Sequence, residues 1–223
     1  MKRLFYTALF SLLISFNAVA NEDNSVKVDE CWKGFNKASF ALNQTLDGFL
    51  FEPMAKGYRY LPSPIRKGTG NVVSNISNLM TIPNNLLQGD IRSAANNTLR
   101  LIVNTTLGIV GIFDVASAMG LEKLDKEDYG QTLAKWGMGP GCYIVLPVLG
   151  PSTARDAFGK AISFVGGDPW YNITSENDTR YFKDSDYFFS QATQGIDFRA
   201  KNIEAFESIE KNSIDFYASV KSL

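Results

Sequence analysis

From Asp90 to Gly108 apolar residues return at every third or fourth position, and that spacing restricts the segment to a helix of about five turns. Ile91, Ala94, Ala95, Thr98, Leu99, Ile102, Val103 and Thr106 fall on one side, and Arg92, Asn96, Arg100 and Asn104 on the other. Asp90 is a favourable N-cap and Gly108 a favourable stop. A stripe of this kind has to be covered by something apolar.

The remainder reads the same way. A second long helix is expected from Arg199 to Val220, with Ile203, Phe206, Ile209, Phe216 and Val220 towards one side. Shorter helices are expected near residues 33–50, 64–78, 128–136 and 152–165, the last started by Ser152 after Pro151. The stretch LIVNTTLGIVGIFDVASAMGL, residues 101–121, holds one charge, Asp114, yet is broken by Asn104, Thr105, Thr106 and glycines. It reads either as a buried soluble core segment or as one lying at membrane depth within a helical assembly, not as a span. The expected fold class is all-α, in a single domain over residues 21–223.

Composition narrows the class. With 223 residues, 45% of them hydrophobic, the chain can build a sizeable core, and 22 basic against 23 acidic residues give no field for nucleic acid. Residues 1–20 have the form of a cleaved secretory signal: Lys2 and Arg3, an apolar run from Leu4 to Phe16, then Ala18-Val19-Ala20. Asn21 follows the cleavage site where a lipoprotein would have cysteine, so no acyl anchor is expected. Cys31 and Cys142 both fall in the exported part, where they either form a disulfide or stand as two unrelated thiols.

Catalytic apparatus is not visible. The chain has no histidine, which removes the usual general base and the usual zinc ligand together. The stretch GPSTARD around Ser152 lacks the glycine of a nucleophile turn and reads better as a helix start. In WGMGPGCYIVLPVLGPS, residues 136–152, Gly137, Gly139 and Gly141 alternate, but neither a Walker lysine nor a strand-turn-helix context accompanies them. A mobile hairpin touching something apolar is the reading that survives. Neither a metal nor a cofactor is implied.

Ordered motifs carry a resemblance. Gly34-Phe35-Asn36-Lys37, Asn43, Asp47, Pro53, Ala55 and Tyr58 are followed by Asn71, Asn75, Asn84 and Leu87-Gln88-Gly89. Next come Arg100, Asn104, Leu107-Gly108, Gly111, Asp114 and Ala116, and then Gly130, Thr132, Leu133, the three alternating glycines, Tyr143, Leu146, Pro147, Gly150, Arg155 and Asp156. With weaker matches at Asp197, Arg199, Asp215 and Tyr217, this series is similar to the MlaA (VacJ) family of outer-membrane phospholipid-transport proteins.

The resemblance implies a ring-shaped helical assembly in the periplasmic leaflet of the outer membrane, with a central amphipathic channel and a glycine-rich hairpin loop. It implies removal of phospholipid from the outer leaflet, transfer to a periplasmic shuttle protein, association with a trimeric porin, and no catalysed reaction. On that pattern Gly137, Gly139 and Gly141 hinge the hairpin, and Tyr143, Ile144, Val145, Leu146 and Pro147 form its lipid-facing arm. Arg66, Arg100 and Arg155 are candidate head-group contacts, and Asn71-Val72 stands where the family has an Asn-Phe dipeptide tied to gating. Cys142 replaces the family's proline, so a bond to Cys31 would limit how far the hairpin moves. The competing expectation is a soluble periplasmic scaffold that has lost membrane insertion.

Overall fold

A computed structural model describes residues 29–176 and 182–222, so the expected export signal, residues 1–20, lies outside the described residues. Helix α1 (Lys33–Leu46) passes through a wider π turn, Asp47–Phe51, into α2 (Glu52–Arg59). Helix α3 (Ser63–Leu87) is the longest, and α4 (Ile91–Thr106) packs beside it. Then come α5 (Val115–Ala118), α6 (Tyr129–Lys135), strands β1 (Tyr143–Leu146) and β2 (Gly150–Thr153), α7 (Ala154–Ile162) and the single turn α8 (Pro169–Tyr171). Helices α9 (Asp184–Lys201), α10 (Ile203–Asn212) and α11 (Phe216–Lys221) close the chain.

Side-chain caps set most of these starts. Asp90, Asp114, Asp128, Thr153 and Asp215 each accept a hydrogen bond from the backbone N–H three residues on. Thr153, the last residue of β2, and not Ser152 starts the helix after Pro151: its hydroxyl accepts from the Asp156 N–H, whereas the Ser152 hydroxyl turns to the Thr153 carbonyl. The expected helix 199–220 is three pieces, since Asn202 leaves helical geometry at φ −116° and Asp215 caps a new start. The expected helix 64–78 continues to Leu87 through Pro83. The chain is also not purely α: β1 and β2 pair antiparallel, with Tyr143 opposite Thr153 and Leu146 opposite Gly150.

Burial runs against the hydropathy of the helices. On α4 the interior side is Ala94, Asn97, Arg100 and Asn104, while Ile91, Leu99 and Ile102 are 72%, 51% and 53% exposed. On α3 the buried positions are Gly68, Asn75, Asn78, Thr81, Asn84 and Asn85. The inward polar groups pair with one another: Asn97 Nδ2 donates to Asn85 Oδ1 at 2.9 Å and Thr132 Oγ1 to Asn84 Oδ1 at 2.7 Å. Buried amides persist in a fold only when matched in this way. The apolar stripe of α4 therefore faces outward, and the turn after it continues the outward band with Leu107, Ile109, Val110 and Phe113. Gly111, at φ +92°, lets that turn close on α3, where an added Cβ would stand 2.7 Å from the Asn75 side chain. Among the described residues no helix is long and apolar enough to cross a membrane.

Candidate functional site

The hairpin begins at Gly137 and Gly141, whose φ values of 91° and 69° lie where glycine is favoured. Gly139 has no such backbone need. Strand β1 has its outer edge covered by side chains of α1. Asn36 Oδ1 accepts from the Val145 N–H at 2.9 Å, and Asn36 Nδ2 donates to the carbonyls of Tyr143 and Cys31 at 3.1 and 2.7 Å. Two turns further along α1, Asn43 Oδ1 accepts from Val148 N–H at 2.7 Å while its Nδ2 donates to Leu146 O at 2.9 Å. These amides satisfy an edge that a third strand would otherwise cover.

The base of the hairpin is tied as well. Cys31 and Cys142 are disulfide-bonded with their Cα atoms 5.4 Å apart, and Tyr143 N–H donates to Asp29 O at 2.7 Å. Glu30 in turn accepts from the Tyr217 hydroxyl and from Lys221 Nζ of α11. Tyr143 and Val145 are buried, Ile144 and Leu146 half-buried, and Pro147, Val148 and Leu149 form the exposed turn. Ser152 only reaches the Thr153 carbonyl, at 3.4 Å.

The three candidate arginines stand apart. Arg155 Nε donates to Asp156 Oδ1 at 3.0 Å, and its N–H to Pro140 O at the root of the hairpin. Arg100 is consumed inside the protein: it grips both carboxylate oxygens of Asp114 at 2.9 Å, and also Ser117 Oγ and Leu121 O. Burial alone would raise the Asp114 carboxyl, but hydrogen bonds from Ser117 and Asn104, with the Arg100 charge, outweigh it and hold that group at about 2. Arg66 donates to Leu61 O and borders an open cavity. Asn71 Nδ2 ties α3 to the Ile112 carbonyl at 3.0 Å, and Val72 faces a second cavity beside it.

Three adjoining cavities surround Val73 of α3. One, of about 530 Å³, brings together five basic side chains, Arg66, Lys67, Lys123, Lys126 and Lys201, against two carboxylates, Asp125 and Asp197. A second, of about 590 Å³, is lined by Ile65, Val72, Ile76, Phe113, Trp170 and Phe189 among others, with Asp186 its only charge. The third, of about 380 Å³, shares Ser77, Lys126 and Gln194 with the basic cavity and Ile76, Trp170 and Ser190 with the apolar one. It also receives Leu149 from the hairpin turn, whereas Tyr143 to Pro147 and the three glycines line none of the three.

Lys126 stands where the basic and connecting cavities meet. Its Nζ donates to Asn78 Oδ1. Burial, reinforced by the charges of Arg100 and Lys123 and opposed by Asp114, brings its ammonium down to about 8. The four lysines carry no motif in the sequence: Lys123 and Lys126 lie in a mixed charged run, LEKLDKED, and of the five basic side chains only Arg66 is among the candidates that the sequence offers.

A family model described as MlaA lipoprotein matches residues 28–223. A protein from Rickettsia bellii is 34% identical over 212 residues, 94% of this chain and 79% of that protein. The intermembrane phospholipid transport system lipoprotein MlaA of Haemophilus influenzae is 29% identical over 220 residues, covering 92% of this chain and 81% of that one. Its Escherichia coli counterpart is 33% identical over 158 residues, 69% of this chain and 62% of that one. A solved structure described as the structural basis for maintenance of bacterial outer membrane lipid asymmetry superposes with a TM-score of 0.69 at 28% identity, covering 87% and 94% of the two chains.

Proposed function

Because this chain belongs to the MlaA lipoprotein family, we propose that it serves an intermembrane phospholipid transport system, withdrawing phospholipid from the outer leaflet of the outer membrane and so maintaining lipid asymmetry. Relatives named for that transport and a like-folded structure concerned with outer-membrane lipid asymmetry support the assignment.

The observation that carries it is the inversion of burial. Leu99, Ile102, Leu107, Ile109 and Val110 point outward and Asn97, Arg100 and Asn104 inward. Hydrocarbon would cover that band, and the broken backbone of residues 107–113 is compatible with membrane depth because its inner side is packed on protein. In this reading the body is a ring seated in the periplasmic leaflet, and the three cavities are part of a central amphipathic channel. The head group follows the basic cavity and the tails the apolar one. The hairpin borders the path through Leu149 and is a latched wall, with Asn71 and Val72 setting the facing side of α3. Arg66 meets the head group, Arg100 braces the wall and Arg155 fixes the hairpin root. Lipid leaves to a periplasmic shuttle protein, and a trimeric porin seats the ring.

The test is outer-leaflet phospholipid accessible to added phospholipase in cells lacking the protein, which rises and returns to normal on re-expression. An unchanged level sinks the reading. Release of the protein with the soluble periplasm at low salt, without detergent, supports the scaffold alternative instead.

A further inference from the structure

The basic cavity is more cationic than passage of a neutral lipid requires. Of its five basic side chains only Lys201 is ion-paired, to Asp197 at 2.5 Å; among the described residues no carboxylate stands within salt-bridge distance of Arg66, Lys67, Lys123 or Lys126. Lys126 is the informative member. Its Nζ partner is a neutral amide, Asn78 on α3; Arg100 on α4 and Lys123 on its own loop lower its proton affinity and Asp114 raises it, while Asp125 lines the basic cavity with it and Glu127, Asp128 and Asp168 line the connecting one, none of them within salt-bridge distance. Withdrawing an ammonium from water beside other cations is unfavourable, and an anion brought to the same place relieves both effects.

We propose that this cavity is an anion subsite that takes the phosphate of a phospholipid with a net negative head group, a phosphatidylglycerol, in preference to a zwitterionic lipid. The inference rests on the lipid-transport reading above and adds a substrate class to it. A zwitterionic head group carries its own ammonium next to its phosphate, and binding would set that charge among Arg66, Lys67, Lys123 and Lys126. A glycerol head offers hydroxyls there instead. Lys126 is the specificity-determining side chain because it lines both the basic cavity and the one leading to the apolar cavity, so a phosphate it holds leaves the tails room beside Val73 and Ile76. Burial first, and then the charges of Arg100 and Lys123, lower the proton affinity of Lys126, a direction that a nearby phosphate would reverse.

Calorimetric titration of the purified protein in neutral detergent, with dihexanoyl-phosphatidylglycerol and dihexanoyl-phosphatidylcholine as probes, tests this. The glycerol lipid should bind about tenfold more tightly, the size of one partly desolvated charge contact. Lys126→Gln should weaken phosphatidylglycerol binding more than phosphatidylcholine binding and bring the ratio towards one, with an unchanged circular dichroism spectrum and thermal midpoint reporting an intact fold. Lys123→Gln, at an exposed position, should lower the ratio in the same direction should the Lys126 variant fold poorly. Equal affinities in the unaltered protein overturn anion selection and leave lipid transport standing, whereas binding of neither lipid overturns both. Inorganic phosphate displacing the lipid at the lipid's own concentration assigns the cavity to free phosphate and overturns the head-group proposal.

Discussion

Arg100 Nη2 lies 2.9 Å from both carboxylate oxygens of Asp114, across the turn that leaves α4. Asn104 completes the clasp, donating to Asp114 Oδ1 at 3.0 Å and accepting from the Ala116 N–H at 2.9 Å. The apolar turn Leu107 to Phe113 is therefore closed from inside by a polar cluster. That arrangement lets the apolar side chains face outward without loosening the loop that bears them.

Replacing Arg100 by Gln should leave Asp114 partly buried without its counter-charge. Removing one partner of a buried pair costs about 3 to 5 kcal/mol. Denaturation in mild detergent measures it, and a loss below about 1 kcal/mol, the range of an exposed pair, would contradict the clasp.

Acid should act through the same carboxylate. The folded Asp114 titrates at about 2, below its ordinary 3.8, so the folded form binds protons less readily than the unfolded one. Its contribution is full above pH 3.8 and is lost as pH falls from there through about 2. Asp114→Asn should flatten the thermal midpoint across that window relative to the unaltered protein. Parallel acid profiles would show that the transition comes from other groups.

The cap at Asp90 was legible in the sequence because a cap is a local matter, a side chain meeting a backbone N–H three residues away. The inward face of α4 was not. Which stripe of a helix is buried depends on partners elsewhere in the chain, here Asn85 for Asn97 and Asp114 for Arg100, and amphipathic periodicity is silent about whether the apolar side meets protein or lipid. For the same reason the basic cavity is not legible in the sequence: Lys67, Lys126 and Lys201 become neighbours only through the packing of α3, the loop before α6 and α9. The hairpin was half legible. Its glycines and cysteines stand out, but the grip of Asn36 and Asn43 on its backbone does not.

That grip separates stability from motion. The Cys31–Cys142 bond spans 111 positions, and in the chain-entropy picture a loop of that size is worth about 4 to 5 kcal/mol. A Cys31→Ser/Cys142→Ser double variant should lose stability on that scale. The amides of Val145 and Val148 should nonetheless stay protected from hydrogen exchange, because their acceptors are the side chains of Asn36 and Asn43. Fast exchange at both amides in the double variant would instead make the disulfide the sole latch of the hairpin.

Val110 sets backbone geometry against the proposed lipid contact within one side chain. It holds φ at 56°, a conformation disfavoured for β-branched residues, and is 64% exposed on the outward turn. Asparagine tolerates that backbone geometry and gains nothing from hydrocarbon. Val110→Asn should therefore raise stability in detergent, by about 1 kcal/mol, while reducing flotation with phospholipid vesicles. Ile102→Asp, on the same band at an exposed position, should weaken flotation further, since a carboxylate at membrane depth costs about 2.5 to 3.5 kcal/mol near the bilayer centre. Opposite signs for stability and flotation in one substitution identify a side chain whose apolar partner is lipid. A Val110→Asn protein that is less stable in detergent yet floats unchanged would place that side chain against protein instead.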